Sequence, residues 1–262
     1  MVYNIIYLIV AVVTRIFLLP GISSSAFFNR LYSDFYFLGK QVIERKTQDE
    51  IEKLIRPGMT VVDVGANVGY YTLLLSQWVG PGGKVCAFEP DPFLFKILVK
   101  NINRHKLRNI EAFEAAVSNE SGEATLFRSK DNLADNRICR VEENRAEFKV
   151  KSYSLDDFFS HRSEKPAFIK MDIQGAEPYA LGGMRKLIAD SKQLVLVSEF
   201  APDWIQNGGT APIEYLRQLK NNHLTIKELG QSRTLSSEED FSALIQKVPG
   251  GRFTDVICEV SH

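Results

Sequence analysis

The run Val61-Val62-Asp63-Val64-Gly65-Ala66-Asn67-Val68-Gly69 limits what this chain can fold into more than any other stretch. A β-branched apolar segment breaks into a glycine-punctuated turn and resumes as the helical run Tyr70 to Trp78, which predicts a strand, a tight loop and a helix opening. At Gly65 and Gly69 the backbone can turn sharply and approach a ligand with no Cβ in the way. The free N–H groups of the following helix then face that ligand. A nucleotide-like molecule suits such a loop. Asp63, just before it, is placed to orient the loop N–H groups or a ligand ammonium, which fits a zwitterion better than a pyrophosphate.

The second strand, Lys84 to Phe88, ends at Glu89. A carboxylate at that tip can take both hydroxyls of a ribose, so loop and acid describe one adenosine-type site. The loop reads Gly-x-Asn-x-Gly and lacks the third glycine of a dinucleotide fingerprint, which favours S-adenosylmethionine over NAD. After a third strand, Asn109 to Glu114, the small residues Ala115-Ala116-Val117-Ser118 let a flat ring such as adenine lie against the backbone. The cofactor set is therefore Asp63, Gly65, Asn67, Gly69, Glu89 and Ala116.

Two further strands also run into acids: Ala167 to Asp172, followed by Glu177, and Leu194 to Val197, followed by Glu199. In an open parallel sheet these tips border the crevice at the switch point. Where chemistry at this crevice needs a positioned general base, Asp172 is the first candidate and Glu177 the second. Asp172 and Glu199 could instead share Mg²⁺, and no histidine-containing cluster supports a transition metal. The competing reading is that these acids cap helices or pair with Lys170 or Arg185.

Thirty-two basic and 32 acidic residues give a formal net charge of zero, without the basic footprint expected for nucleic-acid binding. The length of 262 residues suits one α/β domain with a sizeable core over 41–262 and an N-terminal apolar and aromatic segment over 1–40. Cys86, Cys139 and Cys258 are scattered and read as core thiols of a reducing compartment. Ile5 to Val13 and Ile16 to Leu19, broken by Thr14-Arg15, barely reach the roughly 20 residues of a bilayer span. They read either as an anchor holding the domain at the inner, cytoplasmic face of a membrane or as a helix docked on the protein. The aromatic stretch Phe27 to Leu38 could wall a substrate site or lie at a membrane interface, with core packing as its default role.

Elsewhere, Thr47 and Glu50 form an apparent capping box for a helix ending at Ile55, and Asp91-Pro92 opens another helix. Residues 119–152 read as an inserted hairpin or lid with a polar tip, followed by a short helix capped at Ser154. Helices at Pro212 to Leu219 and Glu238 to Gln246, with strands at His223 to Leu229 and Thr254 to Val260, bring the strands to seven, with an antiparallel end.

Taken together, Val-Val-Asp63-Val-Gly65-Ala-Asn67-Val-Gly69, Ala-Phe-Glu89-Pro-Asp-Pro, Ala116-Val-Ser-Asn, Ser-Leu155-Asp156-Asp-Phe and Ile-Lys170-Met-Asp172-Ile-Gln-Gly175-Ala-Glu177 resemble the FkbM family of class I S-adenosylmethionine-dependent methyltransferases. Gln174 stands where members often carry Glu. The resemblance implies a Rossmann-like α/β fold with a seven-stranded, mostly parallel sheet and a reversed last strand. It also implies O-methylation of a hydroxyl on a sugar, glycolipid, polysaccharide or polyketide. A catalytically silent nucleotide-binding module and an NAD-dependent oxidoreductase are the alternatives; the latter lacks a Tyr-x-x-x-Lys or catalytic His pattern.

Overall fold

A computed structural model describes residues 25–129, 136–138 and 145–261. The apolar run before Ser25, Cys139 and most of the insertion's polar tip lie outside the described residues, and with them the expectations of an N-terminal anchor or docked helix.

The valine-rich run forms β1 (Thr60–Val64), and its side chains alternate between two apolar layers. Val62 and Val64 pack with Leu155, Leu181, Leu216 and Phe241, whereas Val61 packs with Ile51, Tyr71, Leu75 and Val79 on the other face. A strand covered on both faces needs apolar residues at successive positions, which explains the valines at 61, 62 and 64, with the buried Asp63 as the exception. All three valines are fully buried, each contributing roughly 1.5–3 kcal/mol.

The chain begins, within the described residues, with α1 (Ala26–Ile43) and α2 (Arg45–Leu54), joined at Glu44. After β1 come α3 (Tyr70–Val79), β2 (Lys84–Phe88), α4 (Pro92–His105), β3 (Ile110–Phe113) and the two-residue β4 (Ala116–Val117). The insertion supplies β5 (Gly122–Arg128) and β6 (Ala146–Tyr153), followed by α5 (Leu155–Ser160), β7 (Phe168–Met171), α6 (Glu177–Gly182) and α7 (Arg185–Ala189). The remainder is β8 (Val195–Phe200), α8 (Pro202–Asn207), α9 (Pro212–Asn221), β9 (Leu224–Glu228), β10 (Thr234–Leu235), α10 (Glu238–Lys247) and β11 (Thr254–Val260).

The main sheet runs β10-β9-β11-β8-β7-β1-β2-β3. β1, β2, β3, β7 and β8 are mutually parallel, and β11 is antiparallel to both β8 and β9. The seven expected strands are all present, with a reversed last strand, and the eighth is the short edge pair at Thr234–Leu235. Strand order reverses between β1 and β7, so the crevice opens where their carboxyl ends diverge.

Two local expectations fail. Thr47 does not cap a helix: α2 starts two residues earlier, and the Thr47 hydroxyl donates to Asp255 Oδ2 at 3.1 Å. Glu44 serves both helix ends at the junction, so the backbone has no need of a Thr47 cap. The small residues after β3 are not a free turn either, because Ala116 and Val117 pair in parallel with Ser152 and Tyr153 of β6. This pairing makes a second sheet, β4-β6-β5, that stands beside the crevice.

Candidate active site

A cleft of about 780 Å³ lies at the carboxyl ends of β1, β2, β7 and β8, within the size range of a small-molecule site. Gly65, Asn67, Glu89, Ala116, Asp172 and Glu199 all line it; Asp63, Gly69 and Glu177 do not. The topology therefore gathers acids separated by more than a hundred residues around one volume.

At the β1 end, Gly65 has φ +86° and Gly69, the N-terminal cap of α3, has φ +99°. The loop is fastened from below: the N–H groups of Gly65 and Ala66 donate to the Phe88 carbonyl at 3.0 and 2.9 Å. Glu89 fastens it from the side. Its Oε2 accepts from the Asn67 N–H and its Oε1 from the Asp91 N–H, both at 2.8 Å. Two backbone donors fix the carboxyl plane and leave lone pairs toward the cleft, as a diol-binding acid requires. Burial nonetheless pushes the Glu89 carboxyl up to about 8, partly offset by those two N–H groups.

Asp63 differs from expectation. Its Oδ2 accepts the Thr72 hydroxyl at 2.6 Å, and it bonds no loop N–H; the loop is held by Glu89 and the Phe88 carbonyl instead. Its Oδ1 is buried without a hydrogen-bond partner. Burial raises its pKa, against the pull of the Lys170 ammonium and the Thr72 hydroxyl. It sits behind the loop, beside a small void shared with Gly65, Asn67 and Lys170.

Asp172 and Glu199 meet at the β7 and β8 tips through one group. The Gln174 side-chain nitrogen donates to Asp172 Oδ1 at 2.9 Å and to Glu199 Oε2 at 3.1 Å. Asp172 also faces two ammonium groups, Lys170 at 3.3 Å and Lys40 at 3.6 Å. Burial alone would raise Asp172, but Lys170 and Lys40 together hold it well below the usual carboxylate range. Among the described residues no ion pair holds Glu199, and burial beside Asp172 and Glu177 drives it well above that range against the weaker pull of Lys40. The Mg²⁺ expectation at Asp172 and Glu199 is not met: an amide N–H donor, which repels a cation, joins the two carboxylates. Among the described residues, no three histidine, cysteine or acidic groups converge as a metal site.

Glu177 also departs from its expected place. Its oxygens accept from the Ile173 and Gly175 N–H groups, each at 2.9 Å, and the residue is buried at the head of α6. It holds the turn that carries Gln174, whose own φ is +57°, and its carboxyl does not reach the cleft.

The opposite wall comes in part from the aromatic stretch Phe27 to Leu38, through Tyr36, and otherwise from residues that no sequence pattern singled out. Tyr36, Gly39, Lys40 and Ile43 of α1 line the cleft, and Lys40 pairs with Glu44. The repeat Tyr36, Lys40, Ile43 is a single helix face and could have marked this wall. At the far end Trp204 and Phe253 lie 6.2 Å apart, with the Arg137 guanidinium 5.6 Å from the Trp204 ring. These two segments are too distant in sequence for spacing to join them.

An S-adenosyl ligand fits this donor set. Glu89 borders the cleft with its carboxyl held by two backbone N–H groups, Phe88, Ala116 and Val117 line the cleft beside it, and α3 has no side-chain cap competing for its N-terminus.

Residues 63–231 match the methyltransferase FkbM domain. The chain is 24% identical over 144 residues to Methyltransferase 1 of Beauveria bassiana, covering 47% of this chain and 57% of that protein. It is 43% identical over 68 residues to the 31-O-demethyl-FK506 methyltransferase FkbM of Streptomyces tacrolimicus, covering 26% of this chain and 25% of that protein. The chain thus spans less than two thirds of these relatives. Among solved structures, a protein assigned as an rRNA methylase from Clostridium thermocellum superposes with a TM-score of 0.51 at 10% identity, covering 83% of this chain and 96% of the other. That likeness shows the shared Rossmann-like fold.

Proposed function

The chain belongs to the FkbM methyltransferase family, and on that premise we propose that it is an S-adenosylmethionine-dependent O-methyltransferase. Its acceptor is a hydroxyl on a sugar, glycolipid, polysaccharide or polyketide-type molecule. The observation that supports this reading is one cleft lined by Glu89, its carboxyl held by two backbone N–H groups, and by Asp172 and Glu199, joined through Gln174. When bound, S-adenosylmethionine supplies a methyl group already activated on sulfonium. The protein's task is to align the acceptor oxygen and take its proton.

Glu89 receives the ribose hydroxyls, and the Gly65 to Gly69 loop lets the ligand approach the backbone. Asp172 stays ionised beside Lys40 and Lys170 and orients the acceptor side of the cleft. Proton removal falls to Glu199, because a carboxylate with raised proton affinity is the better acceptor once ionised. Its Oε1 has no hydrogen bond among the described residues, while Oε2 is held by Gln174. On this reading Glu199, which the sequence offered only as a possible metal ligand, takes the proton, while Asp172, the first candidate there, positions the acceptor and Glu177, the second, supports the turn.

The hydroxyl class draws on the Streptomyces relative, whose name specifies a 31-O-demethyl substrate, and on the Trp204 and Phe253 wall, which suits the apolar face of a ring. The test is incubation with methyl-labelled S-adenosylmethionine and a panel of monosaccharides, glycolipids and macrolides, with the label located by mass spectrometry. Label on an acceptor oxygen is expected. Label only on nitrogen or carbon, or none despite bound cofactor, would contradict the O-methyltransferase reading.

A further inference from the structure

Helix α1 has two unlike sides. One lines the cleft through Tyr36, Gly39, Lys40 and Ile43 and packs Tyr32 and Phe37 against Val68, Leu94 and Ile97. The other is a stripe of Phe27, Leu31, Phe35, Leu38 and Val42, exposed by 69, 38, 39, 58 and 44%. At about 100° per residue these five fall within an arc of about 80°, with Arg30, Asp34 and Gln41 along one edge. Among the described residues, the exposed large apolar side chains are this stripe and Tyr179.

The stripe cannot be hidden by rotating the helix. The Asn101 amide nitrogen donates to Ser33 Oγ at 3.1 Å and to the Val68 carbonyl at 2.7 Å, tying the inner side of α1 to the cofactor loop. Five apolar side chains in register on a fixed helix mark a surface that something covers.

We infer that this face docks on a phospholipid bilayer, lying in the headgroup region with its apolar side chains toward the acyl chains. Two observations select lipid. The sequence entering α1 is itself apolar from Ile5 to Val13 and from Ile16 to Leu19. An apolar sequence of that length, a few residues upstream, is of the kind that partitions into lipid rather than water. The second observation is the border of the stripe. Arg45 and Lys46 are exposed just beyond its C-terminal end, where basic side chains meet anionic headgroups, and Arg30 on its edge is paired with Asp34 at 3.6 Å. Docked in this way, α1 separates the bilayer from the cleft by about one helix diameter, roughly 10 Å. On the reading of the cleft given above, that places the acceptor end beside lipid-linked hydroxyls.

The experiment is flotation of the full chain with vesicles of phosphatidylcholine and phosphatidylglycerol, comparing wild type with the double variant Phe27→Ser, Leu38→Gln. Both positions are exposed, so the fold should survive, as far-UV circular dichroism and a thermal melt would verify. Wild type should float, and each substitution should weaken partitioning by about tenfold. A Phe35→Trp variant should show added fluorescence quenched by lipids brominated on their acyl chains. Equal flotation of wild type and double variant would overturn the inference by assigning binding to Ile5 to Leu19 alone. A dimer that forms without lipid and is broken by the double variant would overturn it in favour of a second copy. Neither outcome bears on cofactor binding, which is measured separately.

Discussion

Gly65 and Asp172 meet backbone to backbone: a Cβ added to Gly65 would stand 2.0 Å from the Asp172 carbonyl oxygen. The cofactor loop and the first strand-tip acid of the acceptor side are thus one packed unit, and Gly65 also needs its left-handed φ of +86°. Gly65→Ala should destabilise the protein by about 2–4 kcal/mol and abolish S-adenosylhomocysteine binding. Chemical denaturation and calorimetry check both; unchanged binding would show that the contact is dispensable.

Glu199→Gln and Asp172→Asn should differ. With an acceptor in hand, Glu199→Gln should lower kcat by about 10²–10⁴ while cofactor affinity stays unchanged. Wild-type kcat should rise with pH as Glu199, raised above its ordinary value, ionises, and Glu199→Gln should flatten that limb. Asp172→Asn should keep the limb, moved to lower pH because a neighbouring negative charge has gone. A pH limb lost in Asp172→Asn and kept in Glu199→Gln would return the base to Asp172.

Cofactor affinity should depend on pH through Glu89. Ribose hydroxyls donate to a carboxylate, so binding favours the ionised form, lowers the pKa from about 8 and releases a proton at neutral pH. Affinity for S-adenosylhomocysteine should therefore rise from pH 6 and level off above about 8. Calorimetry in buffers of different ionisation enthalpy reads the proton directly. Affinity that falls as pH rises would refute this role.

Asp91 joins three elements with one buried carboxylate. It accepts from the Phe93 and Leu94 N–H groups at the head of α4, from Nε and Nη2 of Arg128 in β5, and from the Asn136 amide at 2.9 Å. Asp91→Ala removes a helix cap and strands the Arg128 guanidinium, so a loss of about 3–5 kcal/mol is expected. Thermal unfolding measures it, and a change below about 1 kcal/mol would show the second sheet to be independently anchored.

The parallel core was legible because buried strands announce themselves. β1, β2, β7 and β8 are largely apolar and buried; β1 leads into the glycine loop, and the others lead to Glu89, Asp172 and Glu199 at the crevice. Spacing reveals which side chains reach a strand tip but not which way the carboxyl then turns. Glu89 and Glu177 both accept two backbone N–H groups, yet Glu89 borders the cleft and Glu177 does not. The aromatic stretch Phe27 to Leu38 was ambiguous for the same reason. It divides by helical face, with Tyr32 buried, Tyr36 on the cleft, and Phe27 and Phe35 outside. The link from Asp172 through Gln174 to Glu199 depends on a single side chain at φ +57°, a conformation that no local pattern signals for glutamine.

The most direct test of the account is calorimetric titration of the full chain with S-adenosylmethionine, S-adenosylhomocysteine and NAD, alongside Glu89→Ala. Both adenosyl ligands should bind, NAD should not, and the variant should lose at least about tenfold in affinity, the cost of losing a charged hydrogen-bond acceptor. Preference for NAD, or equal binding by wild type and variant, would contradict the assignment of this cleft.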